Sequence, residues 1–490
     1  MTKIILLEGY PTIALTSSGL VVFFGLQGYY SSGNTKLYYF RTHIEIPLHM
    51  NSSILALLFF FCSYDSVPEV PESVKKDLPA TFPYSVVINE FMVRQEDTLK
   101  DPDFGQYSSW IELLNREDVE VEISGWILAG QPLNTHSNHA YIIPDGTTIA
   151  PGDFLLFWAD GIGVIQEAIH TSFTLSEDGG KIGLYGPEQV GTPVVDTVSY
   201  HSLDVASDIS MGRITFGRYD DHNGFLLPMN APTPGEENRL AKLQLRESFE
   251  LDIEDPSGLG VDHTGNYLWV VSDMSGGSIY KVTKTGRIVE ELKVGGHDME
   301  SISQHPDNLL LYVAEERRRT IVQYDTLGNK IRSDSVAVDI RHRNRGLEGL
   351  TINPANNHVF VSNKMIPRVL IELDLSKEKG EQQIRFTPID FGGPSDANGT
   401  SDDASKGLSL AGLFFDCEEE VLWVVSDRAR AVFVLDHKGR PLAAYDADEY
   451  DLEGIAVINK ENRIYLASDS NQTLFVFDYP QPLIRLPASD

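Results

Sequence analysis

Two series of acidic residues recur at fixed points of a repeated pattern in the second half of the chain. The pattern is an apolar strand that begins with a small or acidic residue, then a turn and a second strand that ends in an acidic or amide residue. The acidic strand starts are Glu300, Glu348 and Glu453, and the acidic strand ends are Asp273, Glu315, Asp427 and Asp469. Calcium takes ~6 to 8 oxygen ligands, largely from carboxylates. These residues are therefore candidate ligands of a calcium ion.

The spacing of the copies indicates the fold that positions these residues. The copies begin at Ser257, Glu300, Glu348, Ala411 and Glu453, at intervals of 42 to 63 residues. This is the spacing of four-stranded propeller blades rather than of helical repeats. Five copies predict a five-bladed β-propeller, with a sixth blade as the alternative. The segment ESFELDI at 247–253 is expected to supply the strand that the last copy lacks.

One mouth of the propeller channel should collect both acidic series. The first strand of an up-and-down blade runs beside the channel and the second returns, so the start of one and the end of the other meet at one face. Converging carboxylates repel each other, which raises their pKa values unless a cation compensates. Other residues expected at this mouth are Ser257, Asn363 and Ala411 in the ring, and Asp396, Asp402 and Asp403 in the insertion at 390–407.

Basic residues offer an alternative account of the same carboxylates. The bases that directly follow the acidic or amide strand ends are Arg317, Arg318, Arg319, Lys364, Arg368, Arg428 and Arg430. Neighbouring blades that pair these bases with the carboxylates would form a purely structural belt of ion pairs. The sequence leaves the metal site and the belt open, because perturbed carboxylate clusters occur in both settings.

An all-β sandwich is predicted ahead of the propeller, at residues 84–218. Its β-branched and aromatic runs are short and are broken by Gly, Pro, Asn and Asp, which is typical of sandwich strands and turns. We expect Trp110, Trp126 and Trp158 to be core anchors. A group of His136, His139 and Asp145 lacks the spacing of metal ligands, so we expect solvated turn residues there.

The overall charge restricts the partners that the chain can bind. With 39 Lys and Arg against 71 Asp and Glu, the formal net charge is -32. Such a chain repels phosphate backbones, which argues against nucleic acid and makes a divalent cation the natural partner. Only two cysteines occur, so no disulfide framework is expected.

The N-terminal region contains a short apolar run from Ile54 to Phe61 that ends at Cys62. It is too short to span a bilayer but suits the apolar core of a signal peptide. From Met50 the stretch resembles a bacterial lipoprotein signal, which implies lipidation of Cys62; an ordinary cleaved signal peptide is the alternative. We therefore expect this order of segments: 1–49 upstream of the true start, 50–83 signal and tether, 84–218 sandwich, 219–246 linker, 247–479 propeller and 480–490 tail.

Both folded units resemble known families. The segments SVVINEF at 85–91, SSWIELLN at 108–115 and IPDGTTIAPGDFLLFWADG at 143–161 resemble the lamin-tail domain family. That resemblance implies an immunoglobulin-like sandwich. The blocks VAEERRRTI at 313–321 and NRGLEGLTINPANNHVFVSNK at 344–364 resemble the SdiA-regulated, or YjiK-like, family and more distantly the β-propeller phytases. That resemblance implies a propeller linked to calcium.

The sequence thus predicts a secreted or cell-envelope protein whose calcium-binding propeller acts as a binding or sensing module. The lamin-tail unit would serve attachment or interaction. The alternative is a calcium-dependent hydrolase, a phytase-like phosphoesterase or a lactonase, in which Glu348 is the candidate base. Expected partners are a divalent cation and a small anionic ligand or cell-envelope component. Membrane contact is expected only through a lipid anchor at Cys62.

Overall fold

The structure is a computed structural model of the 490-residue chain. It describes residues 12–16, 19–23, 45–46, 85–133, 140–201, 206–216, 224–274, 276–337, 346–364, 368–378, 381–389, 408–448 and 451–480. The chain divides into two compact units, Met1–Phe82 and Pro83–Asp490. The first unit contains an antiparallel sheet of β1 (Thr12–Thr16), β2 (Gly19–Phe23) and β3 (Glu45–Ile46). The predicted signal segment and Cys62 lie outside the described residues.

The second unit begins with the predicted sandwich. Its strands are β4 (Val86–Met92), β5 (Trp110–Asn115), β6 (Val121–Glu122), β7 (Ile127–Ala129), β8 (Ala140–Ile142), β9 (Thr148–Ile149), β10 (Phe154–Trp158), β11 (Ile169–His170), β12 (Gly179–Tyr185), β13 (Val194–His201), β14 (Ser210–Ile214) and β15 (Phe225–Met229). They form a sheet of order β11-β10-β5-β4-β14-β15, a sheet of order β13-β12-β7-β8 and the small pair β6-β9. The prediction of an immunoglobulin-like sandwich is confirmed.

The apolar core of the sandwich contains the three predicted aromatic anchors. Trp110, Trp126 and Trp158 are all buried, and an aromatic ring removes a large apolar area from water. Of the weak cluster considered above, Asp145 is exposed in a turn, and His136 and His139 lie outside the described residues. Within the described part of the chain, no helix is both long enough and apolar enough to cross a bilayer.

The remaining strands form five sheets. The first contains β18 (Pro256–Val261), β19 (Tyr267–Ser272), β20 (Gly277–Thr283) and β21 (Ile288–Gly296), and the second β22 (Met299–Gln304), β23 (Leu311–Glu315), β24 (Thr320–Tyr324) and β25 (Lys330–Ser335). The third contains β26 (Leu347–Asn353), β27 (His358–Asn363), β28 (Val369–Leu373) and β29 (Gln383–Pro388). The fourth sheet contains β30 (Leu413–Asp416), β31 (Val421–Ser426), β32 (Ala431–Leu435), β33 (Pro441–Asp446) and the added β16 (Ala241–Lys242). The fifth sheet contains β34 (Leu452–Ile458), β35 (Arg463–Ser468), β36 (Thr473–Asp478) and β17 (Leu245–Glu250).

The first strands of these sheets form a closed ring. β18, β22, β26, β30 and β34 contact one another in that order, and β34 also contacts β18. The predicted ring closure is confirmed, because β17 pairs antiparallel with β36 as the outer strand of the last sheet. This pairing removes an open sheet edge. The blade number itself stays a prediction, since residues 338–345 and 390–407 lie outside the described part of the chain.

Neighbouring inner strands approach so closely that their backbones touch at glycines. A Cβ atom added to Gly258 would lie 2.3 Å from the Ser301 Cα, and one added to Gly454 would lie 2.6 Å from the Ser257 carbonyl oxygen. The second copy has Ser301 instead of Gly, and there the Ser301 hydroxyl accepts a hydrogen bond from the Leu350 amide at 2.9 Å. The repeated Gly thus reflects backbone contact between sheets.

A Gly258→Ala substitution should destabilise the propeller, because the added methyl group meets backbone atoms that cannot move independently. We expect a loss of ~1 to 3 kcal/mol in the free energy of unfolding, the usual cost of overpacking, measured by denaturant unfolding. Ser248→Ala, at an exposed position of the outer strand β17, is the control. Unchanged stability of Gly258→Ala would show that the inner strands are not in tight contact.

The sandwich and the fourth sheet share one apolar core. Phe225, Leu227 and Met229 of β15 pack in the same cluster as Phe433 and Leu435 of β32. The predicted linker, 219–246, therefore contributes β15 to the sandwich, β16 to the fourth sheet and the start of β17 to the fifth. The predicted domain limits stay predictions, but the two domains meet through a continuous hydrophobic contact.

Two buried glutamates hold the segment between β15 and β16 onto the sandwich. Glu90 and Glu112 lie directly opposite each other on β4 and β5 and are inaccessible to solvent. Glu90 accepts hydrogen bonds from the Thr233 amide at 3.1 Å and from Ser210, and Glu112 accepts one from the Gly235 amide at 2.5 Å. Burial raises the pKa of Glu90, and it raises the pKa of Glu112 to about 7 with a further contribution from Glu90.

The contact of Thr233 and Gly235 with the sandwich should weaken as pH rises. A carboxyl group whose pKa is higher in the folded state than its usual 4.5 stabilises the fold fully below that value. The contribution is lost as pH rises through about 7. Hydrogen exchange of the Thr233–Gly235 segment, corrected for intrinsic rates, should therefore show falling protection between pH 6 and ~8.

Glu112→Gln is the variant that checks this assignment, because it removes the titrating group. Its protection should depend less on pH than that of the wild type, whatever its absolute stability. Glu122→Gln, exposed on β6 of the same domain, is the matched control and should behave as the wild type does. An equal pH dependence in all three proteins would contradict the assignment.

Candidate functional site

β-Bulges place the acidic strand starts. The pairing register of the inner strands shifts between Met299 and Ser301, between Leu347 and Leu350, and between Leu452 and Gly454. Each shift falls at the glutamate of that copy, namely Glu300, Glu348 and Glu453. A bulged residue leaves the regular ladder, so its side chain can be directed away from the sheet face. Gly follows the glutamate at Glu348 and Glu453 but Ser301 follows Glu300, so the Glu-Gly pair marks two of the three bulges.

The three glutamates perturb one another electrostatically. Glu348 is buried, with 3% of its surface exposed, and Glu300 and Glu453 are half-buried. Burial raises the pKa of Glu348 well above its usual range, and the charge of Glu300 raises it further. Burial and the charges of Asp273 and Glu453 do the same to the pKa of Glu300. Their convergence at one site stays a prediction from the sequence.

The pKa of Glu453 is raised by the same two effects, burial and nearby negative charges, and is lowered by one positive charge. Burial raises its pKa to about 8, Asp427 and Asp469 add to the increase, and Lys364 lowers it. Lys364 follows β27, and its Nζ lies 3.4 Å from Oε2 of Glu348. The charges of Glu348, Glu453, Asp427 and Glu300 raise the pKa of Lys364 against the effect of its burial.

The acidic strand ends Asp273, Asp427 and Asp469 differ in their hydrogen-bond partners. Burial and the charges of Asp298 and Asp255 raise the pKa of Asp273 to about 6, and its buried Oδ1 has no hydrogen-bond partner. Asp427 accepts hydrogen bonds from Ser409 and from the Arg428 amide. Asp469 accepts one from the Ser470 amide, and its pKa is raised by burial.

Glu315 differs from the other strand ends. Its carboxylate accepts a hydrogen bond from Thr320 at 3.0 Å and pairs with Arg318 at 3.4 Å, both within its own sheet. The charge of the next residue, Glu316, adds to the effect of burial in raising the pKa values of Asp273, Glu300 and Glu348. Glu316 is buried and accepts a hydrogen bond from the Gly346 amide at 3.1 Å. In the sequence, the adjacent acidic pair Glu315-Glu316 is the feature that could have indicated Glu316 as a second candidate at this strand end.

Three bases of the predicted belt form ion pairs with acidic residues. Arg317 pairs with Asp298 at 3.0 Å, and Lys364 and Arg318 pair as described above. Arg430 lines a cavity between β32 and the segment that follows β15. Among the described residues, none donates a hydrogen bond to the carboxylate of Glu300 or Glu453. Arg319, Arg368 and Arg428 also have interaction partners, so the belt and the metal site both stay open.

The carboxylates of Glu300, Glu348, Glu453, Asp273, Asp427 and Asp469 are called the acidic ring here. Their oxygen atoms are of a type that suits calcium, but the side chains do not form a preformed metal site. The oxygen atoms of Glu300, Glu453 and Asp273 that lack donors are of the type that calcium binds. However, no three His, Cys, Asp or Glu side chains in the described ranges lie close enough together to hold a metal ion. Asp396, Asp402 and Asp403 lie outside those ranges. Metal binding by the seven candidate ligands stays a prediction.

Comparison with sequence families agrees with this architecture. The lamin-tail domain family matches residues 80–202, and the family described as SdiA-regulated matches residues 238–390. The two matches follow each other along the chain in the predicted order, first lamin-tail and then SdiA-regulated. The SdiA-regulated match covers β16 to β29, so Glu300, Glu348 and Lys364 lie within it and Glu453 lies beyond it.

Solved structures similar to this chain are remote. They include a streptogramin B lyase (15% identity, 49% of this chain and 74% of that chain, TM-score 0.29) and a gluconolactonase from Xanthomonas campestris (12%, 48% and 98%, TM-score 0.32). A third is hydrazine synthase from Kuenenia stuttgartiensis (15%, 49% and 60%, TM-score 0.30). No curated protein matches the chain. Similarities at this level carry no conclusion about its function.

The acidic ring should make the propeller less stable as pH rises. The folded-state pKa values of Glu300 and Glu453 lie above the usual 4.5, so the stabilisation is present below that value and is lost as pH rises through about 8. Glu300→Gln combined with Glu453→Gln should therefore flatten the dependence of the unfolding temperature on pH between 5 and ~8.5.

A double variant with two exposed glutamates on outer strands, Glu250→Gln with Glu290→Gln, is the matched control. It removes the same number of carboxylates without touching the ring and should retain the wild-type pH dependence. An unchanged dependence in the ring variant as well would mean that these glutamates are not perturbed in the folded protein.

Proposed function

We propose that this chain is a binding module of the cell envelope whose SdiA-regulated propeller takes calcium at its acidic ring. The observation that carries the proposal is the imbalance of charge in the ring. Glu300, Glu348 and Glu453 come from three different sheets, and of the three only Glu348 has an ion pair with Lys364, at 3.4 Å. Carboxylates brought together in this way favour the binding of a further cation.

Asp273 is the residue that would hold calcium first, since its buried Oδ1 lacks a hydrogen-bond partner. Glu300 would join it, since the charge of Asp273 raises the pKa of Glu300. Asp427 and Asp469 are the additional acids, because both charges raise the pKa of Glu453. When bound, calcium would supply two positive charges that neutralise the ring and attract a small anionic ligand. The chain's own contribution is to hold the carboxylates on rigid inner strands.

The lamin-tail domain is proposed to attach the propeller to a component of the envelope. Its β15 shares an apolar core with β32 of the propeller, and Asn230 donates a hydrogen bond to the Tyr445 hydroxyl at 3.0 Å. The two domains would therefore present their surfaces in a fixed relation. The apolar run Ile54 to Phe61 and Cys62 support export, with lipidation of Cys62 or cleavage of a signal peptide as the two routes.

Hydrolysis is less well supported than binding. The candidate base, Glu348, is only 3% exposed and is paired with Lys364, so a substrate would not contact its carboxylate in this arrangement. A general base must come within hydrogen-bond reach of the proton that it removes. The catalytic role of Glu348 stays a prediction from the sequence.

Calcium should raise the unfolding temperature of the protein. A ligand that binds only the folded state at 100 times its Kd adds about 2.7 kcal/mol of stability. Titration calorimetry and thermal unfolding of the full chain should show this effect with calcium. Glu348→Gln and Asp427→Asn should each weaken binding by about tenfold or more, because each removes a charge that acts on the ring.

Glu250→Gln, exposed on β17, should bind calcium as the wild type does. If calcium neither binds nor stabilises the wild type, the proposed function is wrong. Assays of the same proteins with phosphate esters and lactones distinguish a binder from an enzyme. Turnover that requires Glu348 would favour the hydrolase instead.

A further inference from the structure

A histidine in the interior of the sandwich lies between two carboxylates. His170 of β11 has no solvent-exposed surface. Its Nδ1 lies 2.6 Å from Oδ2 of Asp160, and its Nε2 lies 3.0 Å from Oδ2 of Asp103. The side chains of the two aspartates are only 7% exposed. Both ring nitrogens are therefore in hydrogen-bond contact with carboxylate oxygens in a place that water hardly reaches.

These two contacts require a particular protonation state of the ring. A neutral imidazole has one donor nitrogen and one acceptor nitrogen, whereas an ionised carboxylate can only accept hydrogen bonds. A neutral His170 would therefore place one acceptor nitrogen against an acceptor oxygen. An imidazolium has two donors and satisfies both contacts. The geometry thus indicates that His170 carries a positive charge in this arrangement.

The two aspartates also hold two loops of the sandwich. Asp103, in the loop before β5, accepts hydrogen bonds from the amides of Glu167 at 3.1 Å and Ala168 at 3.0 Å. Asp160, which follows β10, accepts one from the Ile162 amide at 3.0 Å. Amide donors favour the ionised form of a carboxylate, so both aspartates act as acceptors. The histidine thus joins the loop before β5 to the loop between β10 and β11.

Opposing effects act on the pKa of His170. Burial lowers it, while the hydrogen bonds to Asp160 and Asp103 raise it, with further contributions from the charges of Asp160 and Asp101. The charged groups that act on the ring are thus these three acids. The resulting pKa lies above the usual 6.5, which agrees with the imidazolium that the contacts require.

We propose that His170 is a protonation-dependent latch that holds the two loops together and releases them when it loses its proton. This latch belongs to the sandwich and is independent of calcium at the acidic ring. Both loops carry exposed apolar side chains, Phe104 and Tyr107 on the first, Ile162 and Ile165 on the second. Opening of the latch would change how the domain presents these side chains at its surface.

Hydrogen exchange of the full chain at several pH values tests the latch. A histidine whose folded-state pKa is raised stabilises the fold fully below the usual 6.5, and this contribution is lost as pH rises through the folded-state value. The amides of Glu167 and Ala168 should therefore lose protection by about tenfold or more between pH 6 and ~9, after correction for intrinsic exchange rates.

His170→Gln removes the titrating group and separates the latch from other effects of pH. The two amides should be less protected in this variant at pH 6, and their protection should change little up to pH ~9. His201→Gln, at an exposed position of β13 in the same domain, is the matched control and should keep the wild-type profile. If His170→Gln does not fold, Asp103→Asn provides a second test, because the loss of one carboxylate should shift the transition to lower pH.

Two results would overturn the inference. One is protection of the Glu167 and Ala168 amides that does not depend on pH in the wild type. The other is an equal fall in protection in the wild type and in His170→Gln. Because the measurement needs no calcium, neither result bears on calcium binding as the proposed function.

Discussion

The close contact of five inner strands is the constraint on which the rest of this structure depends. Backbones meet at Gly258 and Gly454 with no room for a side chain, so the starts of all five strands converge. Any charged residue placed there must share its surroundings with its counterparts on the neighbouring sheets. The bulges at Glu300, Glu348 and Glu453 direct three carboxylates into that shared space. Packing of the fold and convergence of charge therefore have one cause.

Bringing these carboxylates together costs free energy because they repel each other, and three features of the molecule offset that cost. The glutamates retain protons to higher pH than usual, as the raised pKa of Glu453 indicates. Lys364 pairs with Glu348, and its positive charge opposes the increase in the pKa values of Glu300 and Glu453. Arg317 pairs with Asp298 at the periphery. These compensations are partial, because Glu300 and Glu453 accept no hydrogen bond from any residue that the structure describes. The remaining imbalance is what a bound cation would relieve.

Much of this arrangement could be predicted from the sequence because it repeats. The constant spacing between paired strands predicted the sheets and the closing strand, which β17 confirms within two residues of the expected start. The orientation of single side chains could not be predicted in the same way. Glu315 ends its strand as Asp273 does, but Thr320 and Arg318 offer it partners within its own sheet, and Glu316 acts on the ring instead. The contact of β15 with β32 was also missed, because apolar residues at a domain surface have the same pattern as those in a core.

A crystal structure obtained with calcium, and with strontium in its place for anomalous scattering, tests the central claim most directly. The account predicts an anomalous peak among Glu300, Glu348 and Glu453. A ring without such a peak at saturating ion, with Lys364 still beside Glu348, would contradict it. The acidic ring would then be a protonated, lysine-balanced element of the fold and not a cation site.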